Sequence, residues 1–171
     1  RSQMLYIPYT GKELKSRDEA YWKVITTVTA KGGKKAKIES EVNAFEISLL
    51  NDDDWQAQWI GHDFDDDVLT GYTKIAARYL RKEFETKGKV KKGRLYVSGM
   101  GVYSAYLNGT EIAPEEILKP TLSDYRKRVY FNAYDITETL RESQNAIGVI
   151  LEGGRYTAIR YNPRNPNRDG M

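Results

Sequence analysis

Apolar and polar positions alternate along most of this chain with a period of two, the spacing of strands, whose side chains point to opposite faces in turn. Residues 21–29 put Trp22, Val24, Thr26 and Val28 on one face. Gly32 and Gly33 break the run, and residues 36–49 resume it with Ile38, Val42, Phe45, Ile47 and Leu49. The two segments predict a hairpin with a long lysine-rich tip. Residues 4–9 predict a short strand before it, ended by Pro8 and the Thr10-Gly11 turn. Three strands make a thin domain, so this part reads as a portion of a sandwich.

The acidic run 51–54 interrupts the alternation, and residues 55–60 restart it with Trp55, Ala57 and Trp59 facing one way, as in an edge strand. A second acidic loop occupies residues 63–67. Residues 75–85 have a composition that a helix tolerates, yet residues 78–84 alternate and strands flank them, so a strand is predicted. Residues 93–99 and 102–107 are two further strands. The second runs into Asn108-Gly109, the strongest short hairpin signal because both central positions of a type I′ turn need φ > 0. Residues 110–113 form the return strand, residues 114–122 a loop around Pro120, and residues 128–134 another strand. Asp135 then caps one helical turn through Leu140. Residues 146–151 are almost wholly apolar and predict a central strand covered on both faces. Residues 161–171, rich in Asn, Pro, Arg and Gly, read as loop. The predicted class is all-β, a sandwich.

Composition sharpens this reading only in part. The 171 residues include 13 tyrosines, which suit the half-buried face of a sheet. A net charge of +3 is far from the footprint of a dedicated nucleic-acid binder. No cysteine is present, and His62 is the single histidine, so thiolate and histidine-cluster metal sites are excluded within the chain. No apolar run is long enough to span a membrane. The chain begins at Arg1 and is read as a piece of a longer protein. Neither acidic loop suits catalysis, since successive loop side chains diverge and nothing apolar is at hand to raise one carboxyl pKa. Calcium favours carboxylate and carbonyl ligands, but neither loop has the spacing of an EF-hand.

The order of motifs from Trp55 onward resembles the N-terminal module of bacterial α-L-rhamnosidases. Its carriers are Trp55-Gln56-Ala57-Gln58-Trp59-Ile60-Gly61, Leu80-Arg81-Lys82-Glu83-Phe84, Gly99-Met100-Gly101-Val102-Tyr103 with Leu107-Asn108-Gly109, and Leu118-Lys119-Pro120. Ser123-Asp124-Tyr125-Arg126, Tyr134-Asp135-Ile136-Thr137, Gln144-Asn145-Ala146-Ile147 and Gly153-Gly154-Arg155-Tyr156 complete the series. Leu14-Lys15-Ser16, Tyr21-Trp22-Lys23-Val24 and Phe45-Glu46 resemble the end of the fibronectin-type-III-like domain that precedes it. The resemblance implies residues 1–52 as the C-terminal part of that first domain. Residues 53–171 follow as a jelly-roll or galactose-binding-like module lacking its last strands.

What the resemblance implies about function follows from the same residues. The two carboxylates that hydrolyse α-L-rhamnosides lie in the family's downstream helical barrel, so this chain is expected to be a non-catalytic accessory region beside that catalytic domain. A rhamnose-containing glycan is the implied ligand, with calcium as a candidate ion, and the implied compartment is periplasmic or secreted. Asn108, Asp124, Tyr125, Arg155 and Tyr156 are the candidate sugar-binding residues. Each also has a plain structural reading: Asn108 as a turn residue, Asp124 as a loop tie, Tyr125 as packing under that loop, and Arg155 and Tyr156 as contacts to a neighbouring domain. Arg155 stands where many members carry Trp. A spacer without ligand is the competing function. Open sheet edges predict self-association.

Overall fold

The computed structural model describes residues 8–29, 31–61 and 76–156, so the expected strand at 4–9 falls mostly outside the described residues. His62, the acidic loop 63–67 and the tail 161–171 fall wholly outside them. The chain divides into two compact units, residues 1–59 and 60–171. Every described element is a strand or a short 3-10 turn, and among the described residues no helix is long and apolar enough to cross a membrane.

In the first unit the expected hairpin forms, but in two stages. Strand β1 (Glu19–Trp22) pairs antiparallel with β4 (Asn43–Glu46), and β2 (Ile25–Thr29) with β3 (Lys35–Glu39). Trp22 stands opposite Asn43 and Ile25 opposite Glu39, so the three residues 40–42 face only two, Lys23 and Val24. That extra residue is a β-bulge. Ser40 holds it together: its hydroxyl accepts the Val24 N–H at 2.9 Å and donates to the Glu41 carbonyl at 2.8 Å. The Ser40 N–H meanwhile donates to the Val24 carbonyl at 2.9 Å.

The bulge has a consequence for the pleat. Ile38 and Phe45 are seven residues apart and would face opposite sides of a regular strand. With one residue looped out, both lie on the face of Ala20, Trp22, Thr26 and Val28, opposite which they pair. The result is a mostly apolar face opposite one on which Glu, Lys and Thr stand with Tyr21, Ile25 and Ala44. Trp22 is about half exposed, and Ile38 is 61% exposed. At the tip, Gly32 and Gly33 take φ of 105° and 80°, which fits the predicted turn.

The acidic run after β4 is a 3-10 turn, Asp52–Asp54. Asp54 is its useful member. Its Oδ2 accepts from the Ser16 hydroxyl at 2.5 Å and from the Asn51 N–H at 3.0 Å. Its carbonyl accepts from Arg17 Nη2 at 3.0 Å. The bonds to the carboxylate, that from Ser16 first and the Asn51 N–H next, hold the Asp54 carboxyl below its ordinary pKa. Residues 55–60 differ from expectation. Their alternation forms no strand, and no ladder partner faces them among the described residues. Alternation alone does not make a strand without a neighbour to bond.

The second unit is an antiparallel sandwich. One sheet has the order β5-β10-β7-β8, built from β5 (Arg78–Glu85), β10 (Gln144–Glu152), β7 (Val102–Leu107) and β8 (Thr110–Glu111). The other pairs β6 (Arg94–Ser98) with β9 (Phe131–Asp135). The segment that composition left open to a helix is thus strand β5. Tyr103, Ala105 and Leu107 on β7 alternate inward and are buried with Ile112, Tyr134 and Ile136. Phe84, Leu95, Val97, Leu140, Val149 and Leu151 pack against that cluster from β5, β6, β10 and the turn after β9. Burying such side chains contributes about 1.5–3 kcal/mol each, which makes this cluster the seat of the unit's stability. β8 and β9 are shorter than predicted, and β10 is an interior strand as expected, but residues 146–151 are only half-buried and not covered on both faces.

Candidate functional site

Asn108 sits where the sequence placed it, in the turn between β7 and β8, with φ of 53° followed by 89° at Gly109. Asn tolerates this left-handed region better than other side chains because of its short polar group. The amide is fully used. Its Nδ2 donates to the Thr139 carbonyl and to Asn145 Oδ1, both at 2.9 Å, and its Oδ1 accepts the Ala146 N–H at 2.9 Å. Asn145, 3% exposed, continues the network: its Oδ1 accepts the Arg141 N–H at 2.8 Å and its Nδ2 donates to the Arg141 and Ser143 carbonyls. This pair of amides ties the β7–β8 turn to the chain entering β10. A sugar hydroxyl would find no donor left on Asn108.

The other four candidates lie at the opposite end. β7 and β10 are antiparallel, so Leu107 pairs with Ile147 and Val102 with Glu152. Gly154, after β10, packs on Val102 at the start of β7. The six residues of β7 therefore separate the neighbourhood of Arg155 from Asn108, roughly 20 Å. A single cleft joining Asn108 to Arg155 is not formed. Tyr125 and Tyr156 are brought together instead, edge to face with ring centroids 5.3 Å apart. Both are half-buried, while Arg155 is exposed.

Asp124 precedes this ring pair and is held locally. Its two carboxylate oxygens accept from Arg126 Nε at 3.2 Å and Nη2 at 3.4 Å, and Lys127 approaches to 4.0 Å. The Arg126 guanidinium, followed by the Arg126 N–H and the Lys127 charge, holds the carboxyl below its usual range. The Asp124 carbonyl accepts the N–H groups of Lys127 and Arg128, closing the turn.

Two buried polar groups escaped the sequence reading. Lys119, 3% exposed, directs its Nζ at the carbonyls of Ile112 and Ala113, at 3.0 and 2.9 Å, and at Glu111 Oε1 at 3.2 Å. It clamps the strand end after β8 to the loop that carries Pro120. The second group is a chain of hydroxyls inside the sandwich. Tyr103 donates to Asn132 Oδ1 at 3.1 Å and lies 3.5 Å from the Tyr134 hydroxyl, which donates to Glu116 at 2.9 Å. Burial pushes the Tyr134 phenol up to about 12 and that of Tyr103 higher still. Neither phenol ionises at neutral pH, so both serve as hydrogen-bond partners and not as acids.

Among the described residues no three His, Asp or Glu side chains converge as a metal site. Asp124, the one carboxylate in the candidate set, is spent on Arg126, so that set does not offer calcium a ligand sphere. Glu116 and Glu111 are tied to Tyr134 and Lys119.

Residues 88–169 match the family model described as Alpha-L-rhamnosidase N-terminal domain, and residues 1–51 that of the Rha78A-like, N-terminal immunoglobulin domain. The latter, like a fibronectin-type-III domain, is an antiparallel sandwich. An α-L-rhamnosidase of Formosa agariphila is 36% identical over 159 residues, 91% of this chain and 17% of that protein. One from Alteromonas sp. (strain LOR) is 34% identical over 158 residues, again 91% and 17%. Among solved structures, α-L-rhamnosidase from Dictyoglumus thermophilum superposes with a TM-score of 0.72 at 36% identity, covering 88% of this chain and 18% of that one. The Aspergillus terreus enzyme gives 0.75 at 25% identity, covering 96% and 18%. The chain spans less than a fifth of the length of these relatives.

Proposed function

With residues 88–169 belonging to the α-L-rhamnosidase N-terminal domain family and residues 1–51 to the Rha78A-like immunoglobulin family, we propose that this chain is the non-catalytic accessory region of an exported α-L-rhamnosidase. It supports the downstream catalytic domain and contacts rhamnose-containing glycans. The observation that carries this reading is the coverage: similarity runs along 91% of the chain yet accounts for 17% of each rhamnosidase. The domain limits expected from the sequence, 1–52 and 53–171, are part of the proposal. At the end of the sandwich away from Asn108, Tyr125, Tyr156 and the exposed Arg155 supply ring faces and a donor for a sugar.

The second reading, a spacer without ligand, is favoured by one specific observation: Asn108 and Asp124 have their polar atoms satisfied within the fold. Clean chain assayed on a chromogenic α-L-rhamnoside is expected to show no turnover, and turnover would overturn the accessory reading. Calorimetry with L-rhamnose, with and without calcium, separates the two readings. Heat of binding supports glycan contact, and none at millimolar sugar leaves the spacer.

A further inference from the structure

Gly148 lies in the middle of the nine-residue strand β10, with β5 and β7 on either side. Glycine weakens a strand interior, and where it stands there the usual reasons are a bulge, a bend or the close approach of something else. The first two do not apply. The ladder runs in register through Gly148 on both sides, opposite Arg81 and Tyr106. Its φ is not among the positive values of this fold. Nor does packing among the described residues demand it, because of these a Cβ built there would meet only the Leu80 carbonyl oxygen, at an ordinary 3.9 Å.

The face on which that Cβ would stand is the outer one. Val149 and Leu151 turn inward to the core with Tyr103 and Ala105, so Gly148 and Ile150 turn outward with Ser104 and Tyr106 on β7 and Tyr79 and Arg81 on β5. Across this face Arg81, Gly148, Tyr106 and Glu111 form one row, and Tyr79, Ile150 and Ser104 the next. Arg81 and Tyr106 stand on strands about 10 Å apart with no side chain between them. The notch is walled by an arginine and a tyrosine, with Ile150 beside its floor and Tyr79, 78% exposed, at its rim.

We propose that this notch on the outer face of the β5-β10-β7-β8 sheet is a binding site for a neutral pyranoside of a glycan. The proposal rests on the accessory-region reading above and adds a location for glycan contact. Charge decides the ligand class. Arg81 is paired with Glu83 at 2.6 Å and Glu111 with Lys119 at 3.2 Å. The surface is therefore rich in donors and acceptors but locally neutral, which suits a polyhydroxylated ring better than an anion. The tyrosine faces and Ile150 meet the C–H faces of the ring, while Arg81, Ser104 and the phenol groups meet its hydroxyls.

The test is a titration of the whole 171-residue chain with methyl α-L-rhamnoside to tens of millimolar, followed by backbone amide NMR shifts. It uses the wild type, Gly148→Val and Tyr79→Ala. Shifts are expected at Arg81, Tyr106, Gly148 and Ile150, with each variant weakening binding at least tenfold. Gly148→Val is expected to melt at or above the wild-type temperature, because valine suits a strand and no described residue stands in the way. Loss of binding with the fold kept cannot then be ascribed to unfolding. Shifts confined to Tyr125, Arg155 and Tyr156 would overturn the notch and leave glycan contact standing at the other site. Undiminished binding by Gly148→Val, or no shift at all, would also overturn it. Neither result touches the accessory reading, which the turnover assay judges.

Discussion

Replacing Lys119 by methionine would remove the ammonium while keeping most of the unbranched stem. In the wild type that ammonium donates to the Ile112 and Ala113 carbonyls and to Glu111. A hydrogen bond to a charged group contributes about 1.5–3 kcal/mol, and a buried acceptor left without a partner forfeits it. The Ile112 carbonyl belongs to a buried residue, whereas the Glu111 side chain, one-third exposed, regains water. Against these losses stands the relief of no longer desolvating a charge, itself several kcal/mol. The balance is a net destabilisation of about 2–4 kcal/mol, below the sum of the bonds because of that relief. Urea unfolding followed by circular dichroism reads it directly. With a slope of about 2 kcal/mol/M, the midpoint should fall by roughly 1–2 M at unchanged slope. Glu111→Gln, which keeps the clamp on the carbonyls, should lose less than about 1 kcal/mol. Lys119→Met within 0.5 kcal/mol of wild type, roughly the scatter of surface substitutions, would refute the clamp.

Other outcomes follow from the same structure. Asn108→Gly keeps the left-handed turn but loses three side-chain hydrogen bonds, and should destabilise by about 1–3 kcal/mol in thermal or urea unfolding. Asn108→Ala adds backbone strain of about 1 kcal/mol and should be worse than the glycine variant; equal stability would argue against the turn geometry. Asp135 accepts from the Thr137 hydroxyl and N–H and pairs with Arg94, which lowers its carboxyl pKa from 3.8 to about 2. A depressed folded-state pKa stabilises above the unfolded value and loses that stability as pH falls. The gap between wild type and Asp135→Ala should therefore be full above pH 5 and close between about pH 4 and pH 2; a gap unchanged down to pH 2 would contradict it. The exposed apolar face of the β1–β4 hairpin should drive concentration-dependent self-association in light scattering, reduced by Ile38→Lys. A monomer at every concentration would count against this.

Where period and turn chemistry act locally, the sequence was legible. The alternation at Arg81, Glu83 and Phe84 marked β5 despite a composition tolerant of helix, and Asn108-Gly109 marked the turn it occupies. Long-range matching was not. The role of the Asn108 amide depends on Asn145, 37 residues away, and nothing near Leu118-Lys119-Pro120 signals that its lysine is buried. The candidates Asn108 and Arg155 share motif-rich loop ends, but antiparallel β7 and β10 carry those loops to opposite ends of the sheet. Trp55 and Trp59 showed a strand period, yet residues 55–60 form no strand. Gly148 stood inside an apolar run that read only as core; its open surroundings emerge once the ladders on both sides are in place.

The bulge at residues 40–42 makes this hairpin sensitive to length in a way that substitution would not reveal. Exchanging Glu41 for another polar residue alters little, since Ser40 carries the side-chain bond to Val24. Deleting Glu41 is another matter. It removes the looped-out residue, so that Ile38 and Phe45 stand six apart on one face of a regular strand, and the apolar face survives while the bulge is lost. A residue gained between Ile38 and Phe45 is different, since a one-residue bulge would then turn the two to opposite faces, so this strand should tolerate the loss of one residue here but not the gain of one.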